Sequence, residues 1–203
     1  MEALQRISGI AAPMLHINID TDQIIPTVFL GGTDAKGYGA HLFHAQRFFG
    51  DGRPNPAFIL NQPPYDRAQV LLADRNFGCG SSRERAPKAL REFGFRALIA
   101  PSFGDIFYSN CWRNGIVPVA LPIEEVRRIA GEVVASGGLG EVCVDVLALT
   151  VTSPSSCSVA FTAPEALRQM LLQGMDEIAL TLSHSEAIDD YRVQDRVRRP
   201  WAY

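Results

Sequence analysis

Residues 69–121, QVLLADRNFGCGSSRERAPKALREFGFRALIAPSFGDIFYSNCWRNGIVPVAL, alternate short apolar runs with longer amphipathic segments. Three apolar runs have the length of buried strands, at 69–73, 97–100 and 116–121. Three segments have helical length and periodicity, at 82–93, 103–113 and 123–135. Strands that alternate with helices pair in parallel, because each crossover helix returns the chain to the same edge of the sheet. The stretch therefore predicts an α/β fold with a mostly parallel central sheet and crossover helices.

The flanking segments extend this prediction in both directions. Upstream, residues 7–13 are apolar and predict a strand. The polar cluster Asp20-Thr21-Asp22 predicts a turn, and the short apolar run at 24–25 after it predicts another short strand. Downstream, strands are predicted at 142–152 and 157–162, and helices at 164–172, 175–182 and 185–197. No repeat or long linker divides the chain. We therefore expect one domain over residues 1–203, with a C-terminal helix and tail at 185–203.

Composition narrows the class of protein. The 203 residues are 47% hydrophobic and carry a formal net charge of −3, so they can bury a core but offer no overall attraction to nucleic acid or an anionic membrane. Because no apolar run approaches the roughly 20 residues of a membrane-spanning helix, we expect a cytoplasmic protein. The four cysteines are dispersed and predict reduced, mostly buried thiols, without a metal site of their own: Cys79, Cys111, Cys143 and Cys157.

The segment NFGCGSSRE, residues 76–84, lies between a predicted strand and a predicted helix. Gly78 and Gly80 let the backbone approach a ligand closely, and Arg83 adds a two-pronged donor suited to a carboxylate. Ser81 and Glu84 also form an S-x-x-E capping box, which satisfies a helix start without any ligand. An anion site and a plain helix cap both remain open, whereas a P-loop and a nucleophile elbow are excluded by the residue pattern.

A series of short segments occurs along the chain in a fixed order: Asp20-Thr21-Asp22, Ile24-Ile25-Pro26, Leu60-Asn61-Gln62-Pro63, Phe77-Gly78-Cys79-Gly80-Ser81-Ser82-Arg83-Glu84, Ala100-Pro101-Ser102-Phe103, Ile106-Phe107-Tyr108, Asn110-Cys111 and Asn114-Gly115. This ordered series resembles the 3-isopropylmalate dehydratase small subunit, which forms the swivelling-domain part of the aconitase superfamily. The resemblance covers roughly residues 5–190 and implies a swivelling β/β/α fold.

The resemblance also implies a reaction and a partner. In this family 2-isopropylmalate is isomerised to 3-isopropylmalate by dehydration and rehydration, in leucine biosynthesis. A separate large subunit carries a [4Fe–4S] cluster, whose iron acts as Lewis acid on the departing hydroxyl, and the small subunit contributes a serine that takes the carbon-bound proton. By motif position that serine is Ser81, with Ser82, Arg83 and the loop amides, including that of Gly80, holding the substrate carboxylate. This chain itself is expected to bind no cofactor.

Further residues complete the predicted site. Phe29 and Leu30 precede a glycine-rich loop at 31–39 and offer apolar surface to the alkyl group of the substrate. Asp20, Thr21 and Asp22 are expected either to support the glycine-serine loop or merely to form an Asx turn that ends a strand.

The chain departs from the family pattern in ways that bear on the substrate. Thr27-Val28 replaces the Lys-Gln or Ala-Arg that usually follows the Ile-Ile-Pro segment, so a polar or cationic contact is expected to be missing there, and Arg85 replaces a histidine. A related dehydratase acting on citraconate, methylmalate or dimethylmalate, and a stand-alone module that binds a carboxylate without catalysis, are therefore kept as alternatives.

Overall fold

A computed structural model describes residues 2–29, 37–80 and 83–203. Within this part of the chain, seven strands form one sheet in the order β4-β3-β2-β1-β5-β6-β7. The strands are β1 (Arg6–Met14), β2 (Val70–Ala73), β3 (Ala97–Ala100), β4 (Val117–Ala120), β5 (Glu141–Asp145), β6 (Thr150–Thr152) and β7 (Ser158–Ala160). With helices packed against this sheet, the α/β class predicted from the sequence is confirmed.

The sheet is parallel in one half and antiparallel in the other. Strands β1 to β4 pair in parallel, as the alternation at 69–121 predicted. Strands β1, β5, β6 and β7 pair antiparallel, so the parallel share is smaller than expected. The predicted strand at 142–152 is two strands joined by a turn at 146–149. Connections this short can only reverse the chain, because a parallel pair needs a crossover of about a dozen residues or more.

Eight α-helices lie in the described part of the chain, and two short 3₁₀ helices matter for the site, η1 (Thr27–Phe29) and η2 (Tyr38–His41). The α-helices are α1 (Thr21–Ile24), α2 (His44–Arg47), α3 (Arg85–Phe93), α4 (Asp105–Arg113), α5 (Ile123–Ala135), α6 (Glu165–Gln173), α7 (Glu177–Leu182) and α8 (Ser185–Arg198). From α3 onward they match the predicted helices to within a few residues.

The predicted strand at 24–25 is wrong, because the acidic cluster begins a helix instead. Asp20 Oδ1 accepts a hydrogen bond from the backbone N–H of Gln23 at 2.7 Å, which caps the first turn of α1. A carboxylate at this position satisfies a donor that a helix start leaves unpaired. The cap brings Asp22 onto a helical turn next to the glycine loop rather than onto a strand.

The core lies on both faces of the sheet, as the alternation of strand side chains requires. On β2, Leu71 packs with α3 and the segment that follows β1, whereas Val70 and Leu72 pack with α5 and strands β5 and β6. Helix α3 buries Ala86, Ala89 and Leu90 against the sheet. This packing fixes the position of α3, which directly follows the glycine loop.

The cysteines correct one expectation. Cys111 is buried in the core, but Cys79 and Cys143 are only half-buried and Cys157 is exposed, so the thiols are not mostly buried. Burial raises the pKa of the Cys111 thiol well above its usual value, which keeps it protonated. Across the described residues, no helix is long and apolar enough to cross a membrane.

Candidate active site

Three loops lie side by side at the carboxyl ends of strands β1, β2 and β3. A parallel bridge joins Asp20 to Cys79, and another joins Phe77 to Phe103, so the loops continue the order of the strands beyond the sheet. Because the strands are parallel, their carboxyl ends meet at one edge, where open α/β sheets bind their ligands. The glycine loop of residues 76–84 is the middle one of the three.

Gly78 holds the glycine loop against its two neighbours. Its backbone φ is +72°, and its N–H donates to the carbonyl of Ile19 at 2.7 Å. A Cβ added here would lie 2.2 Å from the ring of Phe107. Both the left-handed conformation and the contact with the ring therefore require glycine.

Gly78→Ala is expected to destabilise the fold by about 2–5 kcal/mol, because strain at positive φ and overpacking against Phe107 add together. Urea unfolding followed by circular dichroism measures the change. Gly131→Ala in α5 is the matched control, since a Cβ there meets no atom within 4 Å and is expected to stabilise the helix by about 0.5–1 kcal/mol. Unfolding of Gly78→Ala at the wild-type urea midpoint would contradict the prediction.

Gly80 lies directly beside the start of α1. A Cβ added to it would lie 3.6 Å from Asp20 Cβ and 3.6 Å from Thr21 Oγ1. The backbone N–H of Thr21 donates to the carbonyl of Cys79 at 3.0 Å. The structure thus brings Asp20 and Thr21 into contact with the glycine loop.

Arg83 and Asp22 form a two-pronged ion pair across two of the loops. One terminal nitrogen of Arg83, Nη1, donates to Asp22 Oδ1, and the other, Nη2, donates to Asp22 Oδ2 at 3.0 Å. The Arg83 side chain is 18% exposed and the Asp22 side chain 56%, so the pair lies at the mouth of the site. Hydrogen bonds from the Thr27 hydroxyl and from Arg83 hold the pKa of Asp22 below its usual value. Thr27, which stands where the chain departs from the family pattern, thus contacts Asp22.

A cavity of about 250 Å³ separates the glycine loop from the start of α4. Its lining includes residues that the sequence prediction did not assign to the site. Gly104 approaches so closely that a Cβ on it would lie 2.7 Å from the carbonyl oxygen of Gly78. The sequence contains a feature that could have identified Gly104, because this glycine follows the third parallel strand and therefore lies at the same edge of the sheet. The residues around the cavity are Gly78, Cys79, Gly80, Arg83, Gly104, Asp105, Ile106 and Phe107.

Phe29 lies at the end of η1 in a cluster of aromatic rings. Its ring stacks on His41, with centroids 4.0 Å apart and planes inclined by 7°. His44 meets the same ring at 4.5 Å. Hydrogen bonding links this cluster to the ion pair, because Thr27 Oγ1 at the start of η1 donates to Asp22 at 2.8 Å.

Several predicted site residues lie outside the described residues: Leu30, Ser81 and Ser82, together with most of the glycine-rich loop, residues 31–36. The described neighbours on both sides of the two serines are Gly80 and Arg83. Five of the predicted residues that the structure describes come together: Asp20, Thr21, Asp22, Gly80 and Arg83. Phe29 lies two residues after Thr27, whose hydroxyl donates to Asp22.

Comparisons with known proteins agree with this arrangement. A model of the Aconitase C-terminal domain matches residues 1–124. The 3-isopropylmalate dehydratase small subunit of Cupriavidus necator is 47% identical over 205 residues, covering 100% of this chain and 99% of that protein. The chain belongs to the 3-isopropylmalate dehydratase small-subunit family.

Other members of the family extend the comparison. The small subunit of Shewanella amazonensis is 51% identical over 193 residues, covering 94% of this chain and 96% of that protein. A crystal structure of a 3-isopropylmalate dehydratase from Methanocaldococcus jannaschii covers 92% of this chain and 99% of its own, with a TM-score of 0.63 and 25% identity. The family predicted from the ordered motifs is therefore confirmed.

Arg85 is the position where the family motif usually has histidine. Its guanidinium carbon lies 5.9 Å from the centre of the Tyr38 ring, so the side chain is directed toward η2. Arg83, in contrast, pairs with Asp22 in α1. The departure at 85 thus leaves the arginine of the glycine loop in place.

Proposed function

We propose that this chain is one swivelling domain, the small subunit of a two-subunit cytoplasmic hydro-lyase. The enzyme isomerises 2-isopropylmalate to 3-isopropylmalate in leucine biosynthesis. A proton and a hydroxyl leave neighbouring carbons to form an alkene, and water then adds back with the hydroxyl on the other carbon. Family membership supports the reaction, and the position of Arg83 supports this chain's part in it.

The Arg83 guanidinium is the observation that carries the proposal. It is oriented by one carboxylate, that of Asp22, and this pair uses two of the five N–H donors of an arginine. With respect to the described residues, the other three donors have no partner and are available to a carboxylate of the substrate, beside the cavity at Gly80. A guanidinium fixed before the ligand arrives loses less conformational entropy on binding. A dicarboxylate substrate suits this arrangement.

Ser81 is proposed as the group that takes the carbon-bound proton, and Ser82 as a second donor to the substrate carboxylate. A serine hydroxyl is a poor base, so it needs positive potential nearby. The Arg83 charge, two residues along the chain, and the amino-terminal end of α3 at Arg85 supply that potential. Asp20 and Thr21 are proposed to support the loop through their contacts with Cys79 and Gly80.

A cluster-bearing large subunit is the proposed partner. The four cysteines of this chain do not fit an iron–sulfur cluster, because they occupy a loop, a buried helix, a strand and an exposed turn. Among the described residues, no group of three or more histidine, cysteine or carboxylate side chains is placed to hold a metal ion. As the family resemblance implies, we propose that the large subunit carries the [4Fe–4S] cluster.

The purified chain alone is expected to show no turnover, and co-expression with its large subunit is expected to produce it. The measurement is ultraviolet absorbance of the conjugated alkene formed from 2-isopropylmalate, with anaerobic iron and acid-labile sulfide assays on each preparation. A stoichiometric iron–sulfur cluster in the chain purified alone would contradict the proposal that the large subunit carries the cluster. Faster turnover of methylmalate, dimethylmalate or citraconate would assign the chain to a related dehydratase. Carboxylate binding without turnover in the complex would favour a non-catalytic module.

A further inference from the structure

The ring of Phe29 is held by a histidine rather than by the apolar core alone. The rings of Phe29 and His41 are nearly parallel, 7° apart in plane and 4.0 Å apart in centroid distance, which is a close stacked contact. Phe29 is only half-buried, so its side chain is not fully enclosed by the core. His41 thus limits the orientations that this ring can take.

His41 itself is fixed from two sides. In the same 3₁₀ helix, the Gly39 N–H donates to the Glu92 carboxylate of α3 at 2.9 Å. A Cβ on Gly39 would lie 2.8 Å from the backbone nitrogen of Phe93, so η2 is pressed against α3. After His41, the Phe43 N–H donates to the carbonyl of Ile24 in α1 at 2.8 Å. The backbone on both sides of His41 is therefore anchored, to the helix that follows Arg83 and to the helix that carries Asp22.

A second imidazole completes the surroundings of Phe29. His44 lies 4.5 Å from the Phe29 ring and 5.0 Å from the ring of Phe48. Burial, together with the nearby His41 and Arg47, lowers the pKa of His44, so it is neutral at physiological pH. His44 thus gives the Phe29 ring a second aromatic neighbour.

We propose that His41 is a positioning residue that orients Phe29 toward the substrate and thereby sets which alkyl group the enzyme accepts. This inference rests on the proposed function, in which Phe29 meets the alkyl group of 2-isopropylmalate. The stack fixes one face of the ring, and the free surface of the ring forms part of the wall against which the alkyl group packs. His41 acts through Phe29 and does not touch the reacting atoms.

Kinetics of the two-subunit enzyme test the inference with two substrates, 2-isopropylmalate and 2-methylmalate, whose methyl group makes little contact with this wall. His41→Leu removes the stack. It is expected to lower the ratio of kcat/KM for 2-isopropylmalate to kcat/KM for 2-methylmalate about threefold to tenfold, mainly by raising KM for 2-isopropylmalate. His41→Phe keeps a stacked ring and is expected to restore the ratio. His184→Leu, at an exposed histidine on the C-terminal segment, is the matched control and is expected to leave the ratio unchanged.

Two outcomes would overturn the role of His41. An equal loss of kcat/KM for both substrates in His41→Leu would mean that His41 has a structural role only. A ratio of kcat/KM unchanged from the wild type would mean that the stack does not set which substrate is accepted. Phe29→Ala separates this failure from failure of the proposed site, because an unchanged ratio in that variant removes Phe29 from the substrate wall.

Nuclear magnetic resonance of the isolated chain tests the stack without any turnover. The ring signals of Phe29 are expected to shift in His41→Leu and to return toward the wild type in His41→Phe. Unshifted signals would overturn the inference even in a preparation that has no activity. Absence of turnover in the wild-type complex, by contrast, would count against the proposed function but not against the stacking of His41 on Phe29.

Discussion

Ser81→Ala is expected to lower kcat of the two-subunit enzyme about 10²–10⁴-fold, which is the usual contribution of a positioned acid or base. The fold is expected to survive, because a lost capping hydroxyl costs about 0.5–2 kcal/mol against a stability of roughly 5–15 kcal/mol. Steady-state kinetics and thermal melting of the same preparation measure both effects. A large loss of kcat with a small change in Tm is the expected combination.

Ser82→Ala is the matched control for this experiment, since it removes a hydroxyl from the next position of the same loop. It is expected to cost about 0.5–1.5 kcal/mol in kcat/KM, the net contribution of one neutral hydrogen bond. If Ser81→Ala kept near-native activity and melted at a lower temperature, Ser81 would be a helix cap and the base would have to be sought elsewhere. The S-x-x-E pattern of residues 81–84 makes this a real alternative.

Arg83→Lys is expected to have the next largest effect, a loss of about 10-fold to 100-fold in kcat/KM with KM raised. The charge is retained, but lysine cannot present the planar pair of donors that a carboxylate accepts, and charge-assisted hydrogen bonds contribute about 1.5–3 kcal/mol. The pair with Asp22 is lost in the same variant, so the cation also loses its orientation. Near-native KM in Arg83→Lys would show that the substrate carboxylate binds elsewhere.

Asp22→Asn separates orientation from binding. It keeps the shape of the side chain and leaves Arg83 intact, so the loss in kcat/KM is expected to be smaller than in Arg83→Lys. The pKa of Asp22 is lowered in the folded protein, so its ionised form stabilises the fold above its unfolded pKa near 4, and this contribution disappears as the pH falls through the folded value. The melting temperatures of wild type and Asp22→Asn are therefore expected to differ near pH 7 and to converge in acid.

The errors of the sequence prediction have local explanations. The run at 24–25 is apolar enough for a strand, but the hydrogen bond from Gln23 N–H to Asp20 starts a helix there. The stretch 142–152 reads as one strand, but it reverses at 146–149, and Leu149 has a backbone φ of +56°, which is rare for leucine. Neither a cap partner nor a left-handed leucine is visible in hydrophobic periodicity.

Some features of this protein follow from residues close together in the chain. The strand and helix periods at 69–121 predict the α/β alternation, and the turn chemistry of Gly78, Gly80 and Arg83 predicts a loop suited to an anion. These features are local, because side-chain period and backbone freedom depend on a few neighbouring residues. The family resemblance adds Ser81 and Ser82 by their place in the same motif.

Other features exist only once the strands are paired. Asp22 reaches Arg83 across 61 residues, because β1 and β2 end at the same edge of the sheet. Gly104 reaches Gly78 because β3 ends beside them, and Phe29 reaches His41 because η2 is held against α3. These contacts depend on which strands are neighbours and on how the helices pack over them. Long-range packing thus turns a predicted anion loop into an arginine oriented by a carboxylate, beside a cavity and a stacked aromatic ring.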